Sequence, residues 1–311
     1  MPSALTQHKI GWIGAGGRMG YAMAERLAKA GADVAVWNRT RAKAEPLGKS
    51  GCKIAENPAA LADCDIVFVT VAASHDFKEV TLGAHGVLTA AKKPKILVDS
   101  STVSEEASAE VRAAAQKLGV AMLAAPVSGN AKVVKAGKLS FVVSGPQAAY
   151  DTVQPYLAAL GQGASYVGDG DVARLVKICH NVFLGAVIQS LVEVTVLAEK
   201  GGVPRHAFLD FMNKSVMGSM FTRYKAPSLV NLDFTPTFTP PLLKKDLDLG
   251  LDAAEHVGAS MPLTALTREL VQSLIARGHV TDDFATLILQ QADASGLKLK
   301  SEERTVDDGL H

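Results

Sequence analysis

Cysteine is scarce: three residues, Cys52, Cys64 and Cys179, lie far apart in a chain of 311. An odd number at such spacings builds neither a disulfide framework nor a metal-ligand pair, so reduced thiols in a cytoplasmic compartment are expected. Charge of one sign is not in excess either. Lys and Arg total 32 against 31 for Asp and Glu, which leaves nothing to neutralise a phosphate backbone, so nucleic acid is not an expected partner. No window approaches the roughly 18 uninterrupted apolar residues of a bilayer-spanning helix, so no membrane segment is expected. The opening MPSALTQHK has neither an apolar core nor an Arg-rich amphipathic stretch, and no export signal is read there. Metal-ligand clusters, a nucleophile elbow, a Walker lysine, internal repeats and low-complexity tracts are all missing. What is present is 48% hydrophobic and 20% charged residues, the composition of a globular protein rather than a disordered one.

The first half alternates short apolar runs with Ala-rich stretches. Strands are predicted at Lys9–Ile13, Val34–Trp37, Ile66–Val71, Ile96–Val98, Val120–Leu123 and Leu139–Val143, with helices at Arg18–Ala30 and Ser104–Leu118. Thr102 to Glu105 fits a capping box opening the second helix. Continuous apolar strands separated by helices imply a mainly parallel sheet covered on both faces, a doubly wound α/β Rossmann domain over residues 1–167. Residues 168–200 read as a long interdomain helix, apolar almost all round, which asks for enclosure by other helices or by a second subunit. Residues 201–300 read as an all-α domain, with helices at Pro204–Met212, Lys244–His256, Pro262–Arg277 and Asp282–Ala294 and a break at Thr235–Pro241. Residues 301–311 read as a frayed polar tail.

The strand Lys9–Ile13 runs into Gly14-Ala15-Gly16-Gly17-Arg18-Met19-Gly20 and then a helix. Glycine permits the tight turn and lets backbone amides approach a pyrophosphate, to which the helix N-terminus adds a positive dipole. The spacing GxGxxxG is one residue longer than the usual fingerprint. At the end of the second strand an NAD site places a carboxylate on the ribose hydroxyls. Here the chain reads Trp37-Asn38-Arg39-Thr40-Arg41, which removes that repulsion and offers Asn38, Arg39 and Thr40 to a 2′-phosphate, favouring NADP(H) over NAD(H).

Lys177 and Asn181 stand four apart, hence on one helix face, among Leu175, Val176, Ile178, Val182 and Phe183. An ammonium in apolar surroundings either snorkels to water or serves chemistry. Burial that brought its pKa from about 10.4 towards 7 would fit it for proton transfer near neutrality. Ala125-Pro126-Val127-Ser128-Gly129-Asn130 follows a strand, where open α/β sheets bind ligands, and Ser128 with the amides of Gly129 and Asn130 suits a small carboxylate.

Together these residues resemble the β-hydroxyacid dehydrogenase family, which includes 3-hydroxyisobutyrate dehydrogenases and glyoxylate or semialdehyde reductases. The motifs run in order to about residue 295: Gly14–Gly20 with Met23-Ala24; Asp99-Ser100-Ser101-Thr102; Ala125–Gly129; Gly168-x-Gly170 followed by Lys177 and Asn181; and Lys245-Asp246-Leu247. The resemblance implies an NADP-binding domain, a long helix and a helical domain with the active site between them. It implies Lys177 as acid/base; Ser128, Gly129, Asn130 and Asn181 as the substrate-orienting set; Lys245 as the residue closing over cofactor and substrate; and Val71 and Thr102 as nicotinamide-side contacts. It also implies a homodimer or homotetramer. Departures fall around the substrate: Ala124 and Asn130 flank the Pro-Val-Ser-Gly motif, and His180 precedes Asn181 where many relatives carry Asn. The expected activity is hydride transfer between NADP(H) and a small β-hydroxyacid or its semialdehyde, without metal. Alternatives are an imine reductase, against which Lys177 argues, and a non-catalytic NADP(H)-binding protein.

Overall fold

A computed structural model describes residues 4–310; the first three residues of MPSALTQHK, in which no export signal is read, and His311 of the tail lie outside the described residues. The chain divides into two compact units, Met1–Lys177 and Ile178–His311.

β1 (Lys9–Ile13) is buried at every residue after Lys9, as a strand covered on both faces must be. It is followed by α1 (Arg18–Lys29), β2 (Asp33–Trp37), β3 (Lys53–Ile54), β4 (Ile66–Val69), α2 (Ser74–Leu82), β5 (Ile96–Asp99), α3 (Glu105–Lys117) and β6 (Ala121–Ala124). The six strands form one sheet in the order β3-β2-β1-β4-β5-β6, all pairs parallel. The order reverses between β1 and β4, and ligands of such sheets bind beyond the strand C-termini at that switch. Trp12 of β1 stacks on Phe68 of β4 at 4.7 Å between centroids, tying the two strands across the switch.

Leu139–Val143 is a strand, as predicted, but it leaves the main sheet. A second sheet sets β7 (Val127–Ser128) antiparallel to β8 (Leu139–Val143), which pairs in parallel with β9 (Gly161–Tyr166). α4 (Ala131–Lys135) and α5 (Gln147–Leu160) connect these strands. Pro155 lies inside α5, a helix not among those expected from the sequence. The predicted capping box also shifts: Ser104, not Thr102, caps α3, its Oγ accepting from the Ala107 amide.

α6 (Val172–Lys200) is the long helix. By length and composition it is apolar enough to cross a membrane, with half of its most apolar window buried inside the protein, although polar residues interrupt its apolar run. Within the C-terminal unit Ile188, Leu191, Val192 and Val196 form a core with residues of α7 (Arg205–Lys214), α8 (Met220–Asn231), α9 (Pro240–Val257), α10 (Pro262–Ala276) and α11 (Leu287–Ala294). α9 begins at Pro240 rather than Lys244, because proline in a first turn lacks only an amide that has no intrahelical partner. The apolar coat of α6 is not fully enclosed: Phe183 and Leu197 are 69% and 71% exposed.

The tail is irregular but not frayed. Glu302 accepts from the amides of Arg205 and His206 at 2.7 and 3.0 Å, and Asn231 exchanges two hydrogen bonds with the backbone of Arg304. Deeper in the same unit, Lys225 and Asp283 form a buried ion pair at 2.6 Å. Burial alone would raise the Asp283 carboxyl. The charge and hydrogen bond of Lys225, with hydrogen bonds from Thr237 and the Ala285 amide, outweigh burial and hold it below the usual carboxylate range.

A carboxyl held low in the folded chain contributes stability that is complete above its unfolded pKa and fades as pH falls through the lower folded value. Asp283→Ala, which strands a buried ammonium, is expected to cost about 3–5 kcal/mol at neutral pH. In urea unfolding, the gap between wild type and variant should narrow below about pH 3.9; a gap independent of pH would contradict the pairing.

Candidate active site

The chain must reverse between β1 and α1 with almost no space. Gly14 has φ 87°, and a Cβ there would lie 2.0 Å from the Thr70 carbonyl oxygen. A Cβ on Gly20 would lie 2.3 Å from the Gly14 carbonyl, so the helix packs directly on the turn. The amides of Gly14 and Ala15 donate to the Trp37 carbonyl at 2.9 and 3.1 Å, and that of Gly17 donates to the Gly14 carbonyl. The Gly16 amide donates to Asn38 Oδ1 at 3.1 Å. The amides of Gly14, Ala15 and Gly16 thus hold the turn to the chain at the end of β2, while that of Gly17 closes the turn on itself. The first-turn amides of α1, Met19 and Gly20 among them, are the donors that a helix start leaves without an intrahelical acceptor.

Beyond the turn lies a cavity of about 320 Å³ whose lining includes Gly14, Gly16, Gly17, Asn38, Arg39, Thr40 and Val71. Lys43, Thr70 and Asp76, which belong to none of the sequence motifs, also line it. Buried Ala15, and Arg18 and Met19 on the helix, are not among the residues lining it. The lining of the cavity suits a nucleotide. A Cβ on Gly16 would meet Asn38 Nδ2 at 2.4 Å and Lys43 Cβ at 2.8 Å, and the buried hydroxyl of Thr70 has no hydrogen-bond partner among the described residues. Arg39 Nη1 lies 2.8 Å from Asp76 Oδ1.

The ends of β4 and β5 are set by buried charge. Arg174, in the first turn of α6, donates from Nη2 to Asp99 Oδ2 at 2.7 Å and from Nη1 to the Ser101 carbonyl. Asp99 Oδ1 accepts from the Ser101 amide, and Ser101 Oγ accepts from the Val71 amide at 2.9 Å. Asp171 accepts from Arg112 and Ser108, each at 2.6 Å. Burial would raise its carboxyl, but those hydrogen bonds and the charges of Arg174 and Arg112 hold it below the ordinary range. This cluster places Val71; Thr102 is exposed at its edge. Lys177 lies one turn beyond Arg174. It is half-buried, with Leu175 and Val176 beside it exposed, so the full desolvation its apolar neighbours implied is not reached.

Ser128 ends β7 and is half-buried; Gly129 is exposed at φ 133°. Asn130 caps α4, its Oδ1 accepting from the amides of Lys132 and Val133. Its side-chain acceptor thus serves its own helix, which explains an asparagine at this position.

The C-terminal unit holds Asn181 and Lys245. Asn181 is 7% exposed and donates from Nδ2 to Asp246 Oδ2 at 2.6 Å, while Lys245 Nζ lies 3.1 Å from Asp246 Oδ1. With the amide nitrogen turned to a carboxylate, Asn181 Oδ1 faces His180 Nδ1 at 2.9 Å, and that ring nitrogen carries the proton. Asp246 was visible in the sequence only as the middle of Lys245-Asp246-Leu247, and His180 only as a departure. No group of three or more potential metal ligands converges among the described residues.

Residues 9–168 match the family model described as the NAD binding domain of 6-phosphogluconate dehydrogenase. Residues 169–290 match that described as NAD-binding of NADP-dependent 3-hydroxyisobutyrate dehydrogenase. The chain is 31% identical over 280 residues to the chloroplastic glyoxylate/succinic semialdehyde reductase 2 of Arabidopsis thaliana, covering 90% of this chain and 78% of that one. It is 30% identical over 293 residues to 2-(hydroxymethyl)glutarate dehydrogenase of Eubacterium barkeri, covering 94% and 97%. Among solved structures, Mycobacterium tuberculosis 3-hydroxyisobutyrate dehydrogenase with L-serine superposes with a TM-score of 0.78 at 27% identity, covering 91% of this chain and 98% of that one. The chain belongs to the β-hydroxyacid dehydrogenase family, NAD(P)-dependent oxidoreductases acting on CH–OH groups.

Because Gly16 leaves no room for a methyl group, Gly16→Ala is expected to weaken NADPH about tenfold or more, equivalent to at least ~1.4 kcal/mol. Nicotinamide fluorescence titration measures it; an unchanged dissociation constant would mean that the cavity does not hold the nucleotide.

Proposed function

We propose that the protein is an NADP(H)-dependent oxidoreductase that interconverts a small β-hydroxyacid and its semialdehyde, with Lys177 as acid/base. The observation that carries the cofactor preference is Asn38-Arg39-Thr40 at the end of β2, lining the same cavity as the glycine turn with no acid among them. The printed name of the C-terminal family, NADP-dependent 3-hydroxyisobutyrate dehydrogenase, supports the same reading.

The relatives favour a substrate class. 3-Hydroxyisobutyrate, 2-(hydroxymethyl)glutarate and serine each carry a hydroxymethyl group on the carbon next to a carboxylate, and differ in the third substituent. NADPH, when bound, would supply the hydride to the aldehyde carbon. In the reducing direction the Lys177 ammonium gives its proton to the aldehyde oxygen; in the oxidising direction the neutral amine takes the alcohol proton. Arg174 anchors the turn of α6 before Lys177. Ser128 and the Gly129 and Asn130 amides take the carboxylate, Asn181 orients the reacting group, and Lys245 closes over cofactor and substrate. Val71 and Thr102 flank the nicotinamide. A second copy of the chain, in a homodimer or homotetramer, covers the exposed apolar residues of α6. A cytoplasmic setting suits three free thiols, two of them buried. Burial pushes the Cys52 and Cys64 thiols up to about 11.

Lys177→Ala tests the mechanism. It is expected to lower kcat by about 10²–10⁴, the usual worth of a positioned acid/base, while NADPH binds as tightly as before. Full turnover in the variant would reject the role.

A further inference from the structure

We propose that Asp76 sets how strongly the protein discriminates NADPH from NADH, by holding Arg39 in an ion pair that the 2′-phosphate must displace. This rests on the reading that Arg39 meets that phosphate.

Asp76 comes from the first turn of α2 and Arg39 from the chain just past β2, and both line the cavity beyond the glycine turn. Arg39 Nη1 and Asp76 Oδ1 are 2.8 Å apart, and the pair is lopsided: the aspartate side chain is 15% exposed and the arginine 81%. The carboxylate is the fixed partner and the guanidinium the one able to turn. His75 Nε2 lies 3.2 Å from the same oxygen, so a second base remains beside Asp76 when Arg39 leaves. A phosphate that draws Arg39 away from Asp76 must break this pair and must approach the carboxylates of Asp76 and Glu79, which line the cavity beside the cations of Arg39 and Lys43, and both effects oppose NADPH. NADH brings no 2′-phosphate and meets neither. A carboxylate in a helix first turn is favoured by the backbone dipoles, which gives Asp76 a local reason to be there.

The test uses the full chain, titrated with NADPH and with NADH by nicotinamide fluorescence, as wild type, Asp76→Asn and Arg39→Ala, in low and high salt. Asp76→Asn is expected to tighten NADPH about fivefold, the scale of an exposed ion pair, and to leave NADH unchanged. The gain should shrink in high salt as exposed charges are screened. Thermal melting followed by circular dichroism reports whether each variant is folded. If Arg39→Ala weakens NADPH selectively but Asp76→Asn does not tighten it, the role of Asp76 falls and the cofactor reading stands. If Arg39→Ala leaves NADPH untouched, the cofactor reading itself falls. Weaker NADH binding to Asp76→Asn would make Asp76 a ribose acceptor and overturn the proposal.

Discussion

The approach of Gly14 to the Thr70 carbonyl constrains everything around it. A Cβ would sit 2.0 Å from that oxygen, so only glycine lets the chain leaving β1 turn beneath the chain leaving β4. Those two strands flank the switch in the sheet. Because the turn is so tight, its amides reach back to Trp37 and Asn38, and the residues after β2 are drawn to the rim of the same cavity. The glycine-rich segment thus works by bringing three strand ends together, and the start of α1 supplies the positive end that an anion needs.

Buried charge does the corresponding work beside β5. Asp99 is fully buried and Arg174 nearly so, and a pair of this kind contributes little net stability compared with apolar residues of the same volume. Its consequence is geometric. Arg174 ties the first turn of α6 to Asp99, Asp99 orients Ser101, and Ser101 receives the Val71 amide. The helix that carries Lys177 is therefore anchored at its base to the strand ends where Val71 lies, all within the N-terminal unit.

Much of this was legible in the sequence. β1, β4, β5 and β6 are apolar runs that have no other use than burial, and the glycine turn and Asn38–Thr40 follow a strand at the position a nucleotide requires. α5 and α8, each with a proline inside it (Pro155 and Pro227), were not among the expected helices. Leu139–Val143 reads as a strand, but its choice of β7 and β9 over the main sheet depends on tertiary partners. Asp76 was invisible for a related reason, since it meets Arg39 across 37 residues of sequence, as Arg174 meets Asp99 across 75. Nothing local in an apolar helix announces that one of its arginines is buried against a strand end.

The proposed function requires these strand ends to present a reduced pyridine nucleotide to the carbonyl carbon of a small carboxylate-bearing aldehyde. The most direct measurement is a turnover with NADPH deuterated at the transferring position of C4 and methylmalonate semialdehyde, followed by mass spectrometry and NMR of the alcohol. One deuterium on the carbinol carbon and none in solvent is the expected result. Nucleotide that binds without passing its label to the substrate would contradict it.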